Sequence, residues 1–131
     1  KYPGCFCKNS KEGVVGNIIN IASILGKTGF PYFSIYSASK GGIIAFSKSL
    51  REELKQFNIK VDVICPGSIN TPFIDTVRAK GRLKNILKPK RIDRGKMLNP
   101  KEVANIILDI MTYPNKIFLE DIVIQSRYFK L

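Results

Sequence analysis

The chain has 131 residues, 44% hydrophobic and 24% charged: enough apolar side chains for one core and too few residues for two ordinary domains. No run approaches the roughly 18–20 apolar residues of a membrane span, and no basic-then-apolar signal segment opens a sequence that starts at Lys1, as a piece of a longer protein would. Twenty-two Lys and Arg against ten Asp and Glu leave a net charge of +12, and the absence of His excludes a histidine base and removes the commonest metal ligand.

Residues 1–15, with Pro3, Gly4, Asn9, Ser10 and Gly13, are punctuated and weakly patterned. They hold Cys5 and Cys7; with Cys65 these make an odd count that argues against a disulfide framework and lacks a fourth ligand for tetrahedral zinc. Free thiols in a reducing, cytoplasmic setting and no metal site are the expectation. Gly16 opens the run Asn17-Ile18-Ile19-Asn20-Ile21-Ala22, short, β-branched and apolar on both faces, which predicts an interior strand. Gly26, Gly29 and Pro31 mark a loop. From Ser34 the period lengthens: Ile43, Phe46, Leu50, Leu54 and Phe57 form one helical stripe, with Lys48, Arg51, Glu52 and Lys55 opposite and Asn58 as a left-handed stop. Ile59-Lys60-Val61-Asp62-Val63-Ile64-Cys65 predicts a second strand, ended by Pro66-Gly67, and strand, helix, strand with short connections predicts a parallel βαβ unit.

Residues 78–101 carry Arg78, Lys80, Arg82, Lys84, Lys88, Lys90, Arg91, Arg94, Lys96 and Lys101 against Asp93 alone. A solvated basic loop is the first reading and a segment attracting an anionic substrate or cofactor phosphate the second. Nucleic acid ranks last, because the stretch has no aromatic residue for base stacking and no reader motif. Asn99-Pro100-Lys101-Glu102 then reads as N-cap, proline at the first helical position and glutamate at the third, ahead of an apolar face of Val103, Ile106, Ile107 and Ile110. Ile122-Val123-Ile124 is a third strand. The order β-α-β-α-β is half of a doubly wound α/β sheet.

Tyr36-Ser37-Ala38-Ser39-Lys40 opens the long helix, and a tyrosine and a lysine four apart share one helical face. A phenol is a poor acid or base at neutral pH, but a neighbouring ammonium stabilises its anion, so the pair is a candidate proton-transfer device. Ser23 ends the first strand and Pro66-Gly67-Ser68-Ile69-Asn70-Thr71 follows the second, both at the sheet edge where open α/β sheets place ligands. Each feature alone has a bland reading, as a chance pair, a cap or a turn. Their combination in order is specific.

Asn20-Ile21-Ala22-Ser23, Tyr36-Ser37-Ala38-Ser39-Lys40 and Pro66-Gly67-Ser68-Ile69-Asn70-Thr71 together resemble the short-chain dehydrogenase/reductase family, tightly over residues 14–77 and loosely beyond. The resemblance implies a Rossmann-like, three-layer αβα domain and an NAD- or NADP-dependent oxidoreductase interconverting a small alcohol and its carbonyl compound. By it Tyr36 is the general acid/base, Lys40 binds the nicotinamide ribose, and Ser23 holds the substrate oxygen. Pro66 and Gly67 lie against the nicotinamide, with Ile69 and Thr71 near its carboxamide, and the basic stretch is a lid over the substrate. A homo-oligomer is expected of the full-length form.

The ten glycines contain no G-x-x-x-G-x-G or G-x-G-x-x-G turn, and no strand followed by an acidic residue serves the adenosine ribose. Residues 1–131 therefore resemble the C-terminal, catalytic half of such a domain. The alternative is a non-catalytic remnant or binding protein retaining part of the fold. Alone, the half-domain is expected to be inactive and to leave an open strand edge beside residues 17–22, prone to self-association.

Overall fold

The structure, a computed structural model, describes residues 6–10, 13–73, 75–76, 93–114 and 116–128, with side chains from residue 16 onward. Of the basic stretch, Arg78 through Arg91 lie outside the described residues, as does Cys5. Four strands, β1 (Phe6–Ser10), β2 (Gly13–Ile21), β3 (Ile59–Pro66) and β4 (Ile122–Ile124), form a sheet in that order. β2, β3 and β4 are parallel, as the βαβ reading predicts. Among the described residues, helices α1 (Ser34–Leu54) and α2 (Pro100–Thr112) flank the sheet.

β1 comes from the weakly patterned opening and was not legible as a strand. It runs antiparallel to β2, from Phe6 opposite Asn17 to Ser10 opposite Gly13. The open edge expected beside residues 17–22 is thus closed only as far as Asn17; among the described residues nothing pairs with that side of Ile18 to Ile21.

β2 and β3 are both interior to the sheet, each with a strand on either side, but β3 is the more deeply buried. Val61, Val63, Ile64 and Cys65 are fully buried, whereas residues 17–20 are half-buried and Ile21 is 42% exposed. The reason is the helix pair stacked over β3. Ala22, Ile44, Val63 and Cys65 form the core on the α1 side. Ile64, Val103, Ile110 and Ile124 form it on the α2 side. β3 needs apolar residues on both faces, at about 1.5–3 kcal/mol for each large one buried, while β2 lies one strand further out.

α1 also sits differently from its apolar stripe. Phe46 and Phe57 are 59% and 60% exposed, and the row against the sheet is Ile44, Ser47 and Arg51. Arg51, expected on the solvent side, is buried. Its Nε donates to the Val61 carbonyl at 2.8 Å, and its guanidinium lies 4.7 Å from the Phe118 ring centroid. Asn20 Nδ2 donates to Ser47 Oγ at 2.8 Å, and the Ser47 hydroxyl donates to the Ile43 carbonyl. These polar pairs, costly to leave unmade inside a protein, set the rotation of the helix against the hydrophobic pattern. Asn58 stops the segment as predicted, with φ 55°, after a 3-10 turn over Lys55–Phe57.

α2 begins as the sequence predicts. Lys101 N–H donates to Asn99 Oδ1, Asn99 N–H donates to Glu102 Oε2, and Pro100 takes the first turn. Its carboxyl end is held by an unforeseen element. Lys60 and Asp62, two apart on β3 and so on one face, form a buried ion pair at 3.5 Å. Lys60 Nζ also donates to the Ile110 carbonyl at 3.0 Å, and Asp62 Oδ1 accepts from the Leu119 amide. No described helix is long and apolar enough to cross a membrane.

Candidate active site

β2 and β3 run parallel, so Ser23, one residue past Ala22, and the loop after Pro66 emerge at the same sheet edge. The Ala22 amide donates to the Ile64 carbonyl at 2.7 Å and keeps the two exits in register. Ser23 caps a 3-10 turn over Ile24–Gly26, its Oγ accepting from the Leu25 amide at 3.2 Å. The bland reading of Ser23 as a cap therefore holds, yet it leaves the hydroxyl proton available to donate.

The capped turn is pressed against α1. A Cβ added to Gly26 would lie 2.7 Å from the backbone carbon of Lys40 and 2.9 Å from the Gly41 nitrogen, so only glycine lets the serine turn meet the helix. Gly26→Ala is expected to push the two apart and to cost about 1–3 kcal/mol in a urea titration. An unchanged midpoint would mean that the turn yields without strain.

Lys40 Nζ reaches back to donate to the Ile21 carbonyl at 3.1 Å and stands 5.9 Å from the Tyr36 ring centroid. The 66–71 loop is pinned from two sides. Gly67 N–H donates to the Ile124 carbonyl, Leu98 N–H to the Ser68 carbonyl, and Asn70 N–H to the Leu98 carbonyl. Arg94 clamps the far end of the loop, donating to Asp75 and to Asn70 Oδ1. Of the described part of the basic stretch, Arg94 and Lys96 are thus each ion-paired, Lys96 with Asp93.

Between these elements lies a cavity of about 260 Å³. Every site residue expected from the sequence lines it: Ser23, Tyr36, Lys40, Pro66, Gly67, Ile69 and Thr71. Phe30, Phe33 and Phe73, not expected from the sequence, also line it, in a run of ring contacts through Tyr36: Phe30 to Phe33 at 5.9 Å, Phe33 to Tyr36 at 6.2 Å, Tyr36 to Phe73 at 5.8 Å. The density of aromatic residues from 30 to 36 was the available signal.

Beside the site, Lys48 bridges Asp121 and Glu120 at 3.0 and 3.2 Å, and Lys27, at the end of the serine turn, reaches Asp121 at 3.6 Å. Hydrogen bonds donated to Asp121 and Glu120 hold the Lys48 pKa above its ordinary value. Burial pushes the Asp121 carboxyl up, but Lys48 and Lys27 outweigh it and keep the group below the usual carboxylate range. Burial likewise pushes the Cys65 thiol up, fitting a packed cysteine rather than a nucleophile. Among the described residues no group of three or more His, Cys, Asp or Glu could hold a metal.

The model of the short chain dehydrogenase family matches residues 6–82, more than half of the chain. This protein belongs to the short-chain dehydrogenase family. The matched stretch of this short-chain dehydrogenase contains Ser23, Tyr36, Lys40 and the whole 66–71 loop. The chain is 39% identical over 112 residues to carbonyl reductase family member 4 of Xenopus laevis, an overlap covering 82% of this chain and 45% of the relative. It is 38% identical over 93 residues to the 3-oxoacyl-(acyl-carrier-protein) reductase FabG of Thermotoga maritima, covering 71% of this chain and 37% of that one.

Among solved structures, an actinorhodin polyketide ketoreductase with NADPH superposes with TM-score 0.67 at 30% identity, over 86% of this chain and 46% of that one. A serine dehydrogenase complexed with NADP+ gives TM-score 0.71 over 88% and 46%, and at 22% identity it is a likeness of fold alone. The doubly wound α/β, Rossmann-like architecture is therefore the fold of this short-chain dehydrogenase, which spans less than half the length of the relatives it matches.

Proposed function

We propose that the protein is an NAD- or NADP-dependent oxidoreductase interconverting a small-molecule alcohol and its ketone, with Tyr36 as general acid/base. The single observation that carries this reading is the convergence of Ser23, Tyr36, Lys40 and the 66–71 loop on one cavity at the carboxyl ends of parallel strands. Relatives support it: one is named a carbonyl reductase, and a solved ketoreductase of similar fold holds NADPH.

The residues fit the nicotinamide end of a dinucleotide. Pro66, Gly67 and Ile69 offer an apolar surface, Thr71 a hydroxyl, and Lys40 an ammonium with donors beyond the one engaged by Ile21. When bound, the dinucleotide supplies or accepts the hydride. Ser23, whose oxygen is already an acceptor for Leu25, donates its proton to the substrate oxygen and fixes its place. Tyr36 delivers the proton to that oxygen in reduction and removes it in oxidation, with the Lys40 ammonium beside its ring.

The test is isotopic. The full-length protein, given a ketone and a reduced cofactor deuterated at the transferring carbon, should yield an alcohol carrying deuterium at the former carbonyl carbon. Absence of label with both cofactors, over a panel of ketones, overturns the reading.

A further inference from the structure

The cavity has two unlike sides. The 66–71 loop forms one, the side given to the cofactor above. Phe30, Phe33 and Phe73 form the other, beside the Tyr36 ring. Phe30 and Phe33 are the ends of a tight turn, the Phe33 amide donating to the Phe30 carbonyl at 3.0 Å. Pro31 takes its second position and Tyr32 its third, with φ 69°. That left-handed position suits glycine, and a bulky aromatic residue held there is strained by about 1–3 kcal/mol. The strained turn brings the Phe30 and Phe33 rings edge to face on the cavity wall.

Phe73 approaches Tyr36 from the opposite end of the series. It is 52% exposed, an unfavourable place for a phenyl ring unless something covers it. Among the described residues, the cavity lining holds one charged side chain, Lys40, already engaged by the Ile21 carbonyl.

We propose that the group flanking the reacting carbonyl is flat, an aromatic or conjugated ring, and that Phe73 with Phe30 and Phe33 selects it. This rests on the hydride-transfer reading above. Ring edges and faces set about 6 Å apart accept a further ring in offset or edge-to-face contact, which favours planar unsaturated groups over saturated ones of equal size.

The test compares three ketones on the full-length protein with its cofactor: α-tetralone, cyclohexanone and the anionic acetoacetate. α-Tetralone should have the highest kcat/KM. Phe73→Ala should raise its KM about tenfold with a smaller change in kcat, lowering the α-tetralone to cyclohexanone ratio by a similar factor, and Phe73→Trp should restore that ratio. Phe73 belongs to neither buried core cluster, so its truncation leaves the fold standing. A preference for acetoacetate, or an equal loss for all three ketones in Phe73→Ala, overturns the proposal. If no ketone is reduced, the hydride-transfer reading fails by itself, and binding then decides. Saturation-transfer NMR of α-naphthol that vanishes in Phe73→Ala upholds the aromatic site, and none on the unmodified protein removes it.

Discussion

Tyr36→Phe is expected to lower turnover by about 10²–10⁴-fold, the usual contribution of a positioned acid or base, and to leave the unfolding midpoint where it was. The substitution removes one oxygen. The ring remains, and with it the contacts to Phe33 and Phe73 and the place of Lys40, whose bond to Ile21 does not involve the phenol. Steady-state rates beside a urea titration separate chemistry from stability. Near-normal turnover in the variant would move proton transfer to another group.

Lys60→Met should cost about 3–5 kcal/mol of folding stability, read from the same titration. The side chains of Lys60 and Asp62 are 3% and 1% exposed, so removal of the ammonium strands a carboxylate that water cannot reach. The last turn of α2 loses a donor at the Ile110 carbonyl as well. Replacing both members, as in Lys60→Met with Asp62→Leu, should recover most of the loss, since well-packed apolar residues often match a buried pair. If the single variant unfolds no more readily than the parent, the pair contributes nothing net.

What the sequence disclosed, and what it did not, divides along local and non-local causes. The α2 cap, the Asn58 stop and the three parallel strands follow from short-range patterns, and all are present. The seven residues expected at the site line one cavity because each stands near the end of a predicted element, and the topology gathers those ends at one edge. The burial of Arg51 and Ser47 was not legible. Their partners, the Val61 carbonyl and Asn20, belong to other strands, and a single-helix pattern weighs apolar residues only. The contact of Gly26 with Lys40 and Gly41 has no sequence signal beyond the glycines themselves. β1 was missed because a strand paired at a sheet margin needs no strong apolar alternation.

The hydrogen bond from Lys40 to the Ile21 carbonyl has a consequence for affinity. A lysine on a free surface keeps many rotamers, and fixing them costs about 1.5–2 kcal/mol, a loss that ordinarily falls at the moment of binding. Here the backbone of β2 has already chosen one arrangement, so that loss falls on folding instead. The two remaining N–H donors point where the strand directs them before any ligand arrives. A ligand that uses them meets a preset charge, and the occupied and empty forms should hold this side chain in the same place.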